Sequence, residues 1–209
     1  MNAVNPNITF DDFVSDAIDV VNYFKTKQKF EHLYIIGHSQ GSLIGMLAAQ
    51  QHVEGFISLA GAGQSIDAVV IDQVQKTAPM FTEDTKRVFD ILKSGKTTTD
   101  YPPALASIFD SSVQEFMMSW MKHDPAVVIK TLNFPILLMN GTKDLQVSTT
   151  EAELLHQASE NSKLKLIDNM NHVLFIIRGD DQENAKSYND HNGKISEELL
   201  ENIVAFIKE

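Results

Sequence analysis

A serine, an aspartate and a histidine at Ser39, Asp144 and His172 are the residue types and the chain order that could carry out nucleophilic attack on an acyl carbonyl. A serine hydroxyl is a weak nucleophile at neutral pH and needs a base to take its proton. That base in turn needs a third group to fix its tautomer and balance its positive charge. Ser39 is the centre of Gly37-His38-Ser39-Gln40-Gly41, which interrupts the apolar run Leu33-Tyr34-Ile35-Ile36 and leads into helix-forming residues. The pattern predicts a buried strand, a tight turn and a helix over Gln40–His52. In such an elbow the serine takes a strained backbone conformation that lifts its hydroxyl out of the sheet. The positions two before and two after it are expected to lie too close for side chains, which Gly37 and Gly41 satisfy.

The other two residues each follow an apolar run. Asp144 comes just after Pro135–Asn140 and the turn Gly141-Thr142-Lys143, and His172 just after Leu164–Ile167 and the loop from Asp168. In a parallel sheet the carboxyl ends of the strands share one edge, so loops distant in sequence can converge there. Each residue has a plainer reading: Asp144 as a turn cap, His172 as a hydrogen-bonded loop histidine. Asp168 is a rival acid, but it lies on the same loop as the histidine. His32, His38, His52, His123, His156 and His191 fall on helices, strand starts or solvated loops. His38, inside the elbow, reads as shaping a substrate pocket.

These positions require an alternating framework. Residues 1–9 read as an extended lead-in. From Phe10 the apolar positions Phe10, Phe13, Val14, Ile18, Val21 and Phe24 recur at helical spacing and predict an inward face, with Asp11 and Asp12 near the helix start. Gly55–Ala60 reads as a second buried strand, and the alternation predicts an α/β chain with a parallel sheet covered by helices. Residues 64–131 break the alternation with several helical patterns and no convincing strand, a helical cap insertion in a single domain whose core is 10–63 and 132–209. There Leu105, Ile108, Phe109, Val113, Phe116, Met117, Trp120 and Met121 form an apolar stripe, with Ser111 and Gln114 as candidate caps. The stripe packs the insertion, and Met117, Trp120 and Met121 are candidates for lining a substrate pocket. Thr149–Ala158 reads as a helix. Arg178–Lys194, rich in Asp, Asn and Gly, reads as a solvated excursion, and Ile195–Ile207 as a closing helix with Leu199, Leu200, Ile203, Val204 and Ile207 inward.

Composition narrows the partners. The chain has 209 residues, 43% hydrophobic, enough for one sizeable core, and a net charge of −11 with 17 scattered Lys and Arg, which argues against a nucleic-acid surface. With no cysteine, disulfides and thiolate chemistry are excluded. No apolar run approaches the roughly 18 residues that span a membrane, and no signal-peptide pattern opens the chain. A soluble, cytoplasmic protein acting on a small neutral ligand is the expectation.

Gly-His-Ser-Gln-Gly after a strand, Leu-Met-Asn-Gly-Thr-Lys-Asp-Leu-Gln-Val after a later one, and Asn-His in the last loop resemble the alpha/beta-hydrolase superfamily. Asn7–Phe13 and Asn22–Thr26 are similar to its bacterial serine esterase and serine-aminopeptidase-like branch. The resemblance weakens over 64–121. It implies Ser39 as nucleophile, Asp144 as acid, His172 as base, the Gln40 N–H as one oxyanion donor, small carboxylic esters as substrates, and no metal or organic cofactor. The fold it implies has eight strands with the elbow after the fifth, whereas only 38 residues precede Ser39. The expectation is therefore of an N-terminally truncated member lacking the first four strands and the second oxyanion donor, whose loss lowers turnover about 10²–10³-fold. The elbow strand would then be an apolar sheet edge open to a homodimer contact. A catalytically silent protein acting by association is the alternative function. Peptidase, thioesterase and acyltransferase chemistry are alternatives within the same triad.

Overall fold

The computed structural model describes residues 8–27, 30–51 and 53–209. Residues 1–7 of the lead-in and the His52 end of the elbow helix lie outside them. The described elements run α1 (Phe10–Thr26), β1 (Tyr34–His38), α2 (Gln40–Ala49), β2 (Gly55–Leu59), α3 (Ile66–Thr77), α4 (Thr82–Lys93), α5 (Ala106–Phe109), α6 (Ser111–Trp120), α7 (Pro125–Ile129), β3 (Ile136–Gly141), α8 (Thr149–Ala158), β4 (Ser162–Ile167), α9 (Asp181–Ser187) and α10 (Glu197–Lys208). The chain divides into two compact units. One joins the described residues up to Asp16 with Gln64–Asp124; the other comprises Ala17–Gly63 and Pro125–Glu209. Among the described residues no helix is long and apolar enough to cross a membrane.

The second unit holds a four-stranded parallel sheet in the order β1-β2-β3-β4, flanked by helices. Every residue of β2 and β3 is buried, as the unbroken apolar runs of an inner parallel strand require. Strand alternation separates the two faces. Ile57, Leu59, Leu137 and Met139 pack with Leu199 and Phe206 of α10, while Phe56 and Ser58 meet α2 through Gly45 and Ser42. The sheet's two edges differ. On β4, Lys163 pairs with Glu209 at 2.5 Å and Lys165 with Glu198 at 2.8 Å, a charged edge that discourages further pairing. On β1 the outward residue is Ile36, 48% exposed.

Two inward faces are narrower than their apolar patterns. In α10 only Leu199 and Phe206 are buried, with Ile203 partly so, while Leu200, Val204 and Ile207 are exposed. In α1, Phe10 and Val21 are buried and Phe13 and Phe24 are exposed. Each helix buries a stripe one side chain wide, and the neighbouring apolar positions face water. Arg178–Lys194 is also not simply solvated, since it contains α9. The Asp180 carboxylate starts that helix by accepting from the Gln182 and Glu183 N–H groups at 3.1 and 3.0 Å.

The first unit carries helices and no strand among its described residues. Val70, Val74, Val88, Phe89, Leu92, Leu105 and Phe109 form its core. Phe10 is fully buried, stacked on Trp120 at 5.3 Å and edge-on to Phe116, with its N–H bonded to Ser119 Oγ at 2.7 Å. The expected caps of α6 are corrected. Asp110 is the cap, accepting from the Ser112 N–H and hydroxyl, and Gln114 is buried, bonded to Thr98 and to the Phe109 carbonyl. A short carboxylate outcompetes Ser111 at that position because it bonds backbone and hydroxyl together.

One ion pair in this unit gives a pH prediction. Lys93 Nζ lies 2.5 Å from Asp67 Oδ2, and Asp67 is buried. Burial raises the Asp67 carboxyl, but the hydrogen bonds from Lys93 and Ser65 outweigh it and hold the group below its ordinary 3.8. The folded state therefore releases this proton more readily than the unfolded state, and the pair stabilises the fold above pH 3.8 and progressively less below it. Thermal melts of wild type and Asp67→Asn should differ at pH 7 and converge as the pH falls below that value. A gap that persists or widens in acid would contradict the pairing.

Candidate active site

The elbow follows from three local constraints. The Ser39 N–H donates to the Leu59 carbonyl at 2.9 Å and the Ser42 N–H donates back to the Ser39 carbonyl at 2.9 Å, so the turn is pinned between β2 and the first turn of α2. Ser39 is forced to φ 55°, ψ −124°, a conformation comfortable only for glycine. A Cβ on Gly37 would stand 2.2 Å from the Gly41 carbonyl oxygen. The expectation for Gly41 is corrected: a Cβ there meets nothing within 4 Å. The close approach is one-sided, with the backbone of Gly41 occupying the space a side chain at 37 would need.

Because the strain at Ser39 is released by glycine, Ser39→Gly is expected to raise stability by about 1 kcal/mol, read as a higher urea midpoint, while removing any chemistry of the hydroxyl. An unchanged or lower midpoint would mean that the elbow stores no strain.

Asp144 follows β3. The loop that carries it is closed by buried Asn140, whose amide donates to the carbonyls of Val147 and Ser148 at 3.2 and 3.0 Å. Asp144 Oδ1 accepts from the N–H groups of Gln146 and Val147, both at 2.8 Å. That leaves Oδ2 for His172, whose Nδ1 lies 2.8 Å away. The Asp144 side chain is fully withdrawn from solvent and that of His172 is 6% exposed. On the far side of the ring, His172 Nε2 is 3.0 Å from Ser39 Oγ. A carboxylate acceptor at Nδ1 favours the tautomer with the proton there, which leaves Nε2 free to accept the serine proton.

The remaining sequence candidates fall as follows. His38 reaches His172 through the backbone: its Nε2–H donates to the His172 carbonyl at 2.8 Å, with the rings 4.9 Å apart. Desolvation holds the His38 imidazole below its usual value, the bond to the His172 carbonyl acting against it. Gln40 is the first residue of α2, where helix geometry leaves the backbone N–H without an intrahelical partner. Asp168 is exposed and lines an open groove of about 1100 Å³ with Phe175, Arg178 and Lys194. Met117, Trp120 and Met121 belong to the other unit and have packing partners of their own there: Met117 and Met121 against its core, Trp120 on Phe10. Sequence reasoning missed Asn140, Asn171, Asn184 and Ser187, polar residues whose surroundings only the fold supplies.

A sequence-family model described as serine aminopeptidase, S33, matches residues 8–176. Esterase EstD of Thermotoga maritima is 25% identical over 171 residues, 79% of this chain and 41% of its own length. The chain thus spans less than half of that curated relative. Among solved structures, Est1E of Butyrivibrio proteoclasticus superposes with a TM-score of 0.58 at 16% identity, covering 97% of this chain and 73% of that one. The enol-lactonase of Burkholderia xenovorans gives 0.54 at 20% identity, covering 99% and 76%. These structural likenesses establish the fold and nothing finer.

Proposed function

This chain belongs to the serine aminopeptidase S33 family of alpha/beta-hydrolases, and from that premise we propose that it cleaves small carboxylic esters through an acyl-enzyme formed on Ser39. The observation that carries this reading is the continuous line of contacts from Ser39 Oγ through His172 to buried Asp144, at 3.0 and 2.8 Å.

Ser39 Oγ attacks the ester carbonyl carbon as His172 Nε2 takes its proton. The oxyanion that forms is held by the Gln40 N–H. His172 then gives the proton to the leaving alcohol as the C–O bond breaks, leaving the acyl group on Ser39. Water attacks that ester, its proton passing to Nε2 and onward to Ser39 Oγ as the acid departs. Asp144 keeps the imidazole aligned and balances its charge in both halves. The chemistry rests on side chains of the second unit alone.

An ester is preferred over an amide because the relative matched along most of this chain is named an esterase. Turnover of short p-nitrophenyl esters, compared with matched thioesters and aminoacyl amides, tests the choice. Ester turnover lost in Ser39→Ala is the expected result, and amide turnover exceeding ester turnover would overturn it.

Association with a second copy through β1 is a further reading, favoured by the contrast between the lysine-bearing edge at β4 and the apolar edge at β1. Concentration-dependent size-exclusion chromatography, repeated on Ile36→Lys, tests it. A monomer at all concentrations would rule it out.

A further inference from the structure

The segment from Asp180 to Tyr188 has a composition that suits a wet loop, yet it is tied to the two loops that carry Asp144 and His172. Asn184 is fully buried. Its amide donates to the Lys143 carbonyl at 2.7 Å, one residue before Asp144. Its carbonyl oxygen accepts from the Asn171 amide at 3.0 Å, one residue before His172. Asn171, also fully buried, donates to Ser187 Oγ at 2.7 Å and accepts from the Phe175 N–H at 3.0 Å, which closes the turn around His172. Ser187 donates its own hydroxyl proton to the backbone carbonyl of Asn184, not to its side chain, at 2.7 Å. From the other direction, Lys143 Nζ donates to the carbonyls of Ile177 and Gly179 at 3.0 and 2.6 Å.

Where the acid loop meets the base loop, the backbones leave no slack. The Lys143 N–H donates to the Met170 carbonyl at 2.9 Å, and a Cβ on Gly141 would stand 2.0 Å from that same oxygen. Burying two primary amides away from water is costly unless their donors and acceptors are met. For Asn184 the partners that meet it are Lys143 and Asn171, the residues adjoining Asp144 and His172.

We propose that α9 forms a positioning clamp, in which Asn184 joins the residue before Asp144 to the residue before His172 and so sets the carboxylate–imidazole distance before any substrate arrives. The proposal rests on the assignment of Ser39, His172 and Asp144 given above. None of Asn171, Asn184 or Ser187 takes part in bond making. They act through the geometry of the two groups that do, and a displacement of about 1 Å at such groups can cost about 10²-fold in rate.

The test separates the clamp from the triad assignment and from plain destabilisation. Active sites of each variant are titrated with a fluorophosphonate, so that kcat is expressed per labelled serine. Asn184→Ala is expected to lower that kcat about 10–100-fold with KM changed less than about twofold. Asn171→Ala is expected to do the same, and the double variant to be little worse than either single one, because the two amides act as one connection. Ser187→Ala removes the hydroxyl that accepts from the Asn171 amide and donates to the Asn184 backbone carbonyl, and is expected to lower kcat at least about threefold. It carries the test should Asn184→Ala fail to fold. Wild-type kcat per labelled serine in Ser187→Ala and in whichever Asn variants fold would overturn the clamp. Failure of the wild-type chain to be labelled would instead overturn the assignment of Ser39.

Discussion

Asp144→Asn is expected to lower kcat about 10⁴-fold while leaving the fold and Ser39 where they are. The reason lies in which oxygen is already committed. Asp144 Oδ1 accepts two backbone N–H groups, from Gln146 and Val147. An asparagine would keep its carbonyl oxygen there, because an amide NH₂ facing two donors would leave all of them unpaired in a buried loop. Its NH₂ would then face His172 Nδ1 as a donor. The imidazole answers by carrying its proton on Nε2, the atom 3.0 Å from Ser39 Oγ, and a protonated Nε2 cannot act as base toward the serine. Circular dichroism and the urea midpoint should stay close to wild type while ester turnover collapses. A variant with turnover within about tenfold of wild type would show that Asp144 is only the cap of its own turn.

Gly37→Ala is expected to be strongly damaging for a single added methyl group. The new Cβ would lie 2.2 Å from the Gly41 carbonyl oxygen and 2.7 Å from both the Gly41 carbonyl carbon and Ser42 Cα. All three are backbone atoms at the start of α2, so no side chain can swing aside. Either β1 or the helix start must shift, at about 2–4 kcal/mol, and Ser39 moves with it. Gly41→Ala is the control, because its Cβ enters open space. The urea midpoint should fall sharply for the first and hardly for the second, and ester turnover should be lost only in the first. Equal effects at the two positions would contradict the one-sided packing of the elbow.

Much of this architecture could be read from the sequence because parallel strands and their loops leave strong marks. The unbroken apolar runs at 55–59 and 136–140 specify strands buried on both faces, and a titratable residue just past such a run stands at the carboxyl edge of the sheet. Asp144 follows the second of these, and Ser39 and His172 follow the partly buried edge strands β1 and β4. What could not be read depends on pairing between distant segments. Asn171 and Asn184 look like solvent-facing residues until each is seen to meet the other's amide. Nor does an apolar repeat reveal how wide a stripe its helix will bury, which is why Phe13, Phe24, Leu200 and Val204 face outward. Gly41 matches the spacing of the elbow, but only Gly37 is held there by contact. The Asp110 cap was hidden by the more familiar hydroxyl beside it, since Ser112 had first to be seen donating to the same carboxylate.

Intact-mass measurement after incubation with a fluorophosphonate, followed by peptide mapping, tests the assignment of the nucleophile most directly. A single phosphonyl adduct on Ser39, absent in Ser39→Ala and slow to form in His172→Ala, is the predicted result. A wild-type chain that stays unmodified, or an adduct that survives Ser39→Ala, would contradict it.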